Sequence, residues 1–129
     1  MDDFYVPATA TSPEIDFRFS SNTLGIRGES YPENATAFYG DALRQLRLYL
    51  AMLDATHVEI NVELKDFNSS STKIIYTLFG MLNDCISKGN DVTLNWFHDE
   101  EDETILEFGE ELYEDFGQLN FRPIAVSAA

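Results

Sequence analysis

Apolar and polar residues alternate along several stretches of the chain, and the period of the alternation changes from one stretch to the next. Ile15, Phe17 and Phe19 alternate with Asp16 and Arg18, the two-residue period of a half-buried strand. A turn cluster, Ser20-Ser21-Asn22, follows. Leu24, Ile26 and Gly28 then alternate with Gly25 and Arg27, which predicts a β-hairpin. Ser30-Tyr31-Pro32-Glu33-Asn34 breaks the pattern. Beyond it Phe38, Ala42, Leu46, Tyr49, Leu50 and Leu53 recur at helical spacing and predict a helix from about Glu33 to about Leu53. Pro32 suits its first turn and Glu33 complements its dipole.

Val58, Ile60, Val62 and Leu64 alternate with Glu59, Asn61, Glu63 and Lys65, the clearest strand signal in the chain. Asp66-Phe67-Asn68-Ser69-Ser70-Ser71 follows directly. Ile74, Ile75, Leu78, Phe79, Leu82 and Ile86 mark a second helix, stopped by Lys88-Gly89-Asn90. Val92, Leu94 and Trp96 predict a strand, and His98 to Glu103 an acidic loop. Ile105, Leu106, Phe108, Leu112, Tyr113 and Phe116 predict a third helix. Leu119, Phe121, Ile124 and Val126 suggest a last strand, with Pro123 placing part of it at an edge or bend. The order is ββαβαβαβ: an α/β domain with a mixed sheet of about five strands and three main helices. Residues 1–129 read as a single domain, with residues 1–13 a loosely ordered N-terminal arm carrying two prolines.

Charge narrows the partners. Eight Lys+Arg stand against 23 Asp+Glu, a formal net charge of −15. Such a surface repels nucleic acid and anionic lipid and favours basic protein surfaces. Acids fill Met1-Asp2-Asp3-Phe4 where a signal peptide needs Lys or Arg, and no apolar run approaches a membrane span. The single cysteine, Cys85, excludes an intramolecular disulfide, and the expected location is the cytoplasm.

Candidate chemistry gathers where the strand ending near Lys65 meets the second helix. In an open α/β sheet the crevice beyond the strand C-termini is the usual functional edge. Asn68, Ser69, Ser70, Ser71 and Thr72 stand there at a helix N-terminus, whose free N–H groups and dipole favour a negative group. A phosphate on Ser69 or Ser70 would find Lys73 one turn inside the helix. A plain helix cap uses the same residue types, although four consecutive hydroxyls exceed what one cap needs. Tyr31, Phe38 and Tyr39 read equally as core residues or as exposed contacts.

Catalytic constellations are weak. The run Asp99-Glu100-Glu101-Asp102-Glu103 lacks the alternating ligands and central glycine of a calcium loop, and reads as a solvated lead-in to a helix. His57 and His98 have no metal-ligand spacing, and Cys85 falls near the apolar side of its helix. No phosphate-binding glycine loop or nucleophile elbow is present. The expectation is a protein without enzymatic activity, cofactor or metal.

Three segments carry a resemblance: Ser30-Tyr31-Pro32-Glu33-Asn34 with Phe38-Tyr39, then Phe67-Asn68-Ser69-Ser70-Ser71-Thr72-Lys73, then Val92-Thr93-Leu94-Asn95-Trp96. In this order and spacing they resemble the SiaC family of bacterial regulatory phosphoproteins, from about Pro7 to about Val126. The resemblance implies a fold similar to the STAS domains of anti-sigma-factor antagonists and a partner-switching role. It implies phosphorylation by a Ser/Thr kinase of the histidine-kinase-like ATPase type and reversal by a PP2C-type phosphatase. It further implies that the unphosphorylated form binds a GGDEF diguanylate cyclase and promotes cyclic-di-GMP synthesis, and with it aggregation or biofilm formation. The family's acceptor is typically a Thr directly after the Asn. Ser69 holds that position here, and the STAS relatives keep Ser70 as the alternative. Tyr31, Pro32, Glu33, Asn34, Asn68, Ser69, Ser70, Ser71 and Lys73 are then the expected partner-binding residues. The alternative reading is an anti-sigma-factor antagonist that binds an anti-sigma kinase.

Overall fold

A computed structural model describes residues 1–127. Six strands form one sheet in chain order: β1 (Phe4–Val6), β2 (Glu14–Arg18), β3 (Thr23–Ser30), β4 (His57–Phe67), β5 (Asp91–Asp99) and β6 (Asn120–Val126). β1, β2 and β3 pair antiparallel, and β3 to β6 run parallel. The parallel neighbours are joined by α1 (Ala35–Ala51), α2 (Ser69–Ser87) and α3 (Glu103–Asp115). Each crossover steps to the adjacent strand in the same direction. The right-handed rule therefore puts all three helices on one face of the sheet.

Side-chain alternation matches that layering. Val58, Ile60, Val62 and Leu64 of β4 are buried with Leu46, Leu78 and Leu112 of the three helices in one apolar cluster. Glu59, Asn61 and Glu63 turn to the opposite face, a polar one. Trp96 of β5 is wholly enclosed. Its ring lies 6.3 Å from Phe79 of α2 and 5.9 Å from Phe108 of α3, centroid to centroid. Among the described residues no helix is long and apolar enough to cross a membrane.

The structure departs from the sequence reading in several places. Phe19, read as part of the first strand, instead opens a short 3-10 helix, Phe19–Ser21, directly after β2. The stretch read as a loose arm contains β1, paired to β2 with Phe4 opposite Phe17, so the sheet has six strands rather than about five. Three residues between acids and Pro7 are too short a run for periodicity to reveal. The first helix starts at Ala35 rather than near Glu33, because Asn34 is its N-cap: extended backbone, with Oδ1 accepting from the Ala37 N–H at 3.1 Å. Pro32 and Glu33 thus precede the cap. β6 forms an edge, as Pro123 foretold. Gly28 sits at a register shift between β3 and β4 with φ +122°, a conformation that glycine alone adopts freely.

Candidate site at the helix starts

The parallel strands all end at one edge of the sheet, so the three helices all begin there. Each start is capped by a side chain. Asn34 accepts from Ala37, Asn68 from the Ser71 N–H at 2.9 Å, and Asp102 from the Ile105 N–H at 3.1 Å. The acidic loop read as His98 to Glu103 is shorter: His98 and Asp99 still belong to β5, Asp102 is the cap of α3 and Glu103 lies in its first turn. Among the described residues no group of His, Cys, Asp or Glu is placed to hold a metal ion.

The starts of α1 and α2 open into a shared cleft of about 330 Å³, lined by Glu33, Asn34, Thr36, Ser70, Lys73 and Ile74. The fold thus brings together two segments that are more than thirty residues apart in the chain. The hydroxyl run divides by helical phase. Ser69 and Ser70 are exposed, Ser71 is wholly buried, and Thr72 donates its hydroxyl to the Asn68 carbonyl at 3.3 Å. Ser71 therefore acts on this surface only from below, by holding the helix start. Losing the Asn68 cap leaves the Ser71 N–H unpaired, so Asn68→Ala should cost about 1 kcal/mol in urea-unfolding free energy.

The Ser30–Asn34 turn completes the surface. Tyr31 is 38% exposed, and the Asp66 carboxylate near its hydroxyl pushes the phenol pKa up to about 12. Its N–H donates to the Thr11 carbonyl at 2.7 Å, so the N-terminal segment braces the turn. Pro32 is buried, while Glu33, Asn34 and Lys73 are exposed. Tyr39, left open by the sequence, is enclosed; Phe38 packs edge-on against it at 4.7 Å and is half-buried. Sequence reasoning passed over Asp66, Thr36 and Ile74, which join the surface only through folding.

The remaining chemical candidates do not line this cleft. His57 opens β4, an 11-residue strand that places it roughly 33 Å from the start of α2. His98 is buried, with Nδ1 3.1 Å from the Asp99 carbonyl oxygen. Burial pushes the Cys85 thiol up, which keeps it protonated and inert inside α2.

Comparisons with known proteins converge on one family. The model of the SiaC family regulatory phosphoproteins matches residues 6–126. An uncharacterized protein of Pseudomonas aeruginosa (strain UCBPP-PA14) is 30% identical over 116 residues, covering 89% of this chain and 90% of that one. The crystal structure of apo-SiaC from Pseudomonas aeruginosa superposes with a TM-score of 0.88 at 28% identity, over 97% of this chain and 100% of that chain. A structure of the diguanylate cyclase SiaD in complex with its activator SiaC, from the same organism, contains a chain that superposes at 0.89 and 28% identity, over 96% and 100% of the two chains. With its matched residues spanning nearly the whole length, the chain belongs to the SiaC family of regulatory phosphoproteins.

Proposed function

We propose that this protein is a non-enzymatic partner switch, acting in the cytoplasm and controlled by phosphorylation of Ser69, with Ser70 as the alternative acceptor. In the unphosphorylated state it binds a GGDEF diguanylate cyclase and promotes cyclic-di-GMP synthesis, and so aggregation or biofilm formation. A Ser/Thr kinase of the histidine-kinase-like ATPase type adds the phosphate and a PP2C-type phosphatase removes it. The observation that carries the reading is the pair of exposed serines at the start of α2, beside a cleft shared with the Tyr31–Asn34 turn. A partner resting on both helix starts covers Tyr31, Glu33, Asn34, Ser69, Ser70 and Lys73, with Pro32, Asn68 and Ser71 shaping the surface beneath.

The relatives support the choice of partner: SiaC of Pseudomonas aeruginosa is described as the activator of a diguanylate cyclase. The physics supports the switch. A phosphoserine carries about −1.5 to −2 charges at neutral pH and demands water or donors. The helix start and Lys73 supply some donors, but a docked protein excludes the water, and Glu33 lines the same cleft as Ser70.

The test supplies the cognate kinase with ATP and reads two things. Mass spectrometry should find one added phosphate, at Ser69 or Ser70. The unmodified protein should raise cyclic-di-GMP production by the cyclase, and the modified protein should not. Equal stimulation by both forms would remove the switch, and no stimulation by either would remove the cyclase.

A further inference from the structure

Beneath the exposed serines lies a buried cluster of hydroxyls. Ser30 ends β3, Tyr39 lies in the second turn of α1, and Ser71 is in the first turn of α2. Ser30 Oγ is 2.6 Å from Tyr39 Oη and 2.7 Å from Ser71 Oγ. Ser71 Oγ also lies 3.1 Å from the carbonyl oxygen of Ser30. That carbonyl accepts the Asn68 N–H as well, at 3.0 Å.

Proton counting gives the cluster a direction. A carbonyl oxygen only accepts, so Ser71 donates its one proton to the Ser30 carbonyl. The contact between the two serine hydroxyls then uses the proton of Ser30. None remains for Tyr39, so Tyr39 donates to Ser30. The result is one ordered chain, from Tyr39 to Ser30 Oγ to Ser71 Oγ to the Ser30 carbonyl. Burial raises the Tyr39 pKa, which keeps the phenol protonated as that donor. Each proton is used once, so removing one member disturbs the others.

We infer that Tyr39, Ser30 and Ser71 are positioning residues that couple the start of α2 to the Tyr31–Asn34 turn and the start of α1. The inference rests on the reading of Ser69 or Ser70 as the acceptor and adds how the modification is transmitted. A phosphate on either serine competes with Asn68 for the N–H groups at the helix start. Asn68 is bound through its own N–H to Ser30, the residue directly before Tyr31. Displacing the cap therefore pulls on the turn, and the buried hydroxyls carry the shift to α1. Both halves of the partner's footprint change together.

The test uses the full chain with phosphoserine genetically installed at position 69 and, separately, at position 70, so no kinase is needed. Hydrogen–deuterium exchange compares modified with unmodified protein in four backgrounds: native, Tyr39→Phe, Ser71→Ala and Ile60→Val. The last is a buried β4 change outside the hydroxyl cluster. In the native background, phosphoserine at one of the two positions should change exchange about fivefold or more, both in residues 68–72 and in residues 31–39. In Tyr39→Phe and Ser71→Ala the response in 31–39 should vanish while that in 68–72 persists. In Ile60→Val both should persist. A native protein with no response in 31–39, a response there that survives Tyr39→Phe, or its equal loss in Ile60→Val overturns the inference. The cyclase takes no part in this measurement, so its failure to bind bears on the proposed function alone.

Discussion

Phosphoserine at position 69 is expected to weaken cyclase binding by about 10³- to 10⁴-fold, and Ser69→Asp by about 10- to 100-fold. The upper figure corresponds to about 5.5 kcal/mol, the differential affinity that near-complete switching requires. An uncompensated buried charge costs several kcal/mol, so one dianion under a docked partner supplies most of that figure. Aspartate carries half the charge on a shorter arm and has fewer acceptor oxygens, which places it lower. Ser69→Ala removes one exposed hydroxyl and should hold affinity within about threefold. Titration calorimetry of the four proteins against the cyclase separates the cases. If aspartate and alanine bind alike at position 69, and again at position 70, neither serine controls docking.

Much of this surface was legible in the chain. The alternation from Val58 to Lys65 fixes β4, and a polar run before an apolar stripe fixes the start of α2. Even the split within the serine run leaves a trace. Ser71 stands four residues before Ile75 and seven before Leu78, on the same buried stripe. Helical phase therefore predicts that Ser71 points inward and that Ser69 and Ser70 do not. The start of α1 was harder, because Pro32 and Glu33 are good first-turn residues and Asn34 is a good cap, and only the backbone decides between them.

What folding adds is proximity across distance. Ser30 and Ser71 are 41 residues apart, and nothing in either segment specifies their contact. It follows from two neighbouring parallel strands ending at one edge, which puts the last residue of β3 beside the first turn of α2. The approach of Asp66 to the Tyr31 hydroxyl has the same origin. The register shift at Gly28 brings Ser30 opposite Phe67 and so aligns the turn with the helix start. β1 remained invisible because its three residues acquire their pattern only when β2 is beside them.

Gly109→Ala is expected to destabilise the fold by about 2–4 kcal/mol, although alanine is the better helix former. A Cβ at this position in α3 would lie 2.6 to 2.8 Å from three atoms of the Trp96 ring. The ring has no room to retreat: it is fully buried, flanked by Phe79 and Phe108, and its Nε1–H donates to the Ile105 carbonyl at 2.9 Å. Relieving the clash means moving α3 off the sheet or breaking that hydrogen bond, at about 1–3 kcal/mol for each. The helix-propensity gain of about 0.5–1 kcal/mol offsets little of this. Trp96 is the only tryptophan in the chain, so its fluorescence reports the strained site directly during urea unfolding. Trp96→Phe removes the clashing edge at the cost of a cavity and an unpaired carbonyl. The double variant Gly109→Ala/Trp96→Phe, followed by circular dichroism, should therefore lose less than the two single losses added together. A Gly109→Ala protein as stable as the native one would show that α3 is not held against the sheet by this close approach.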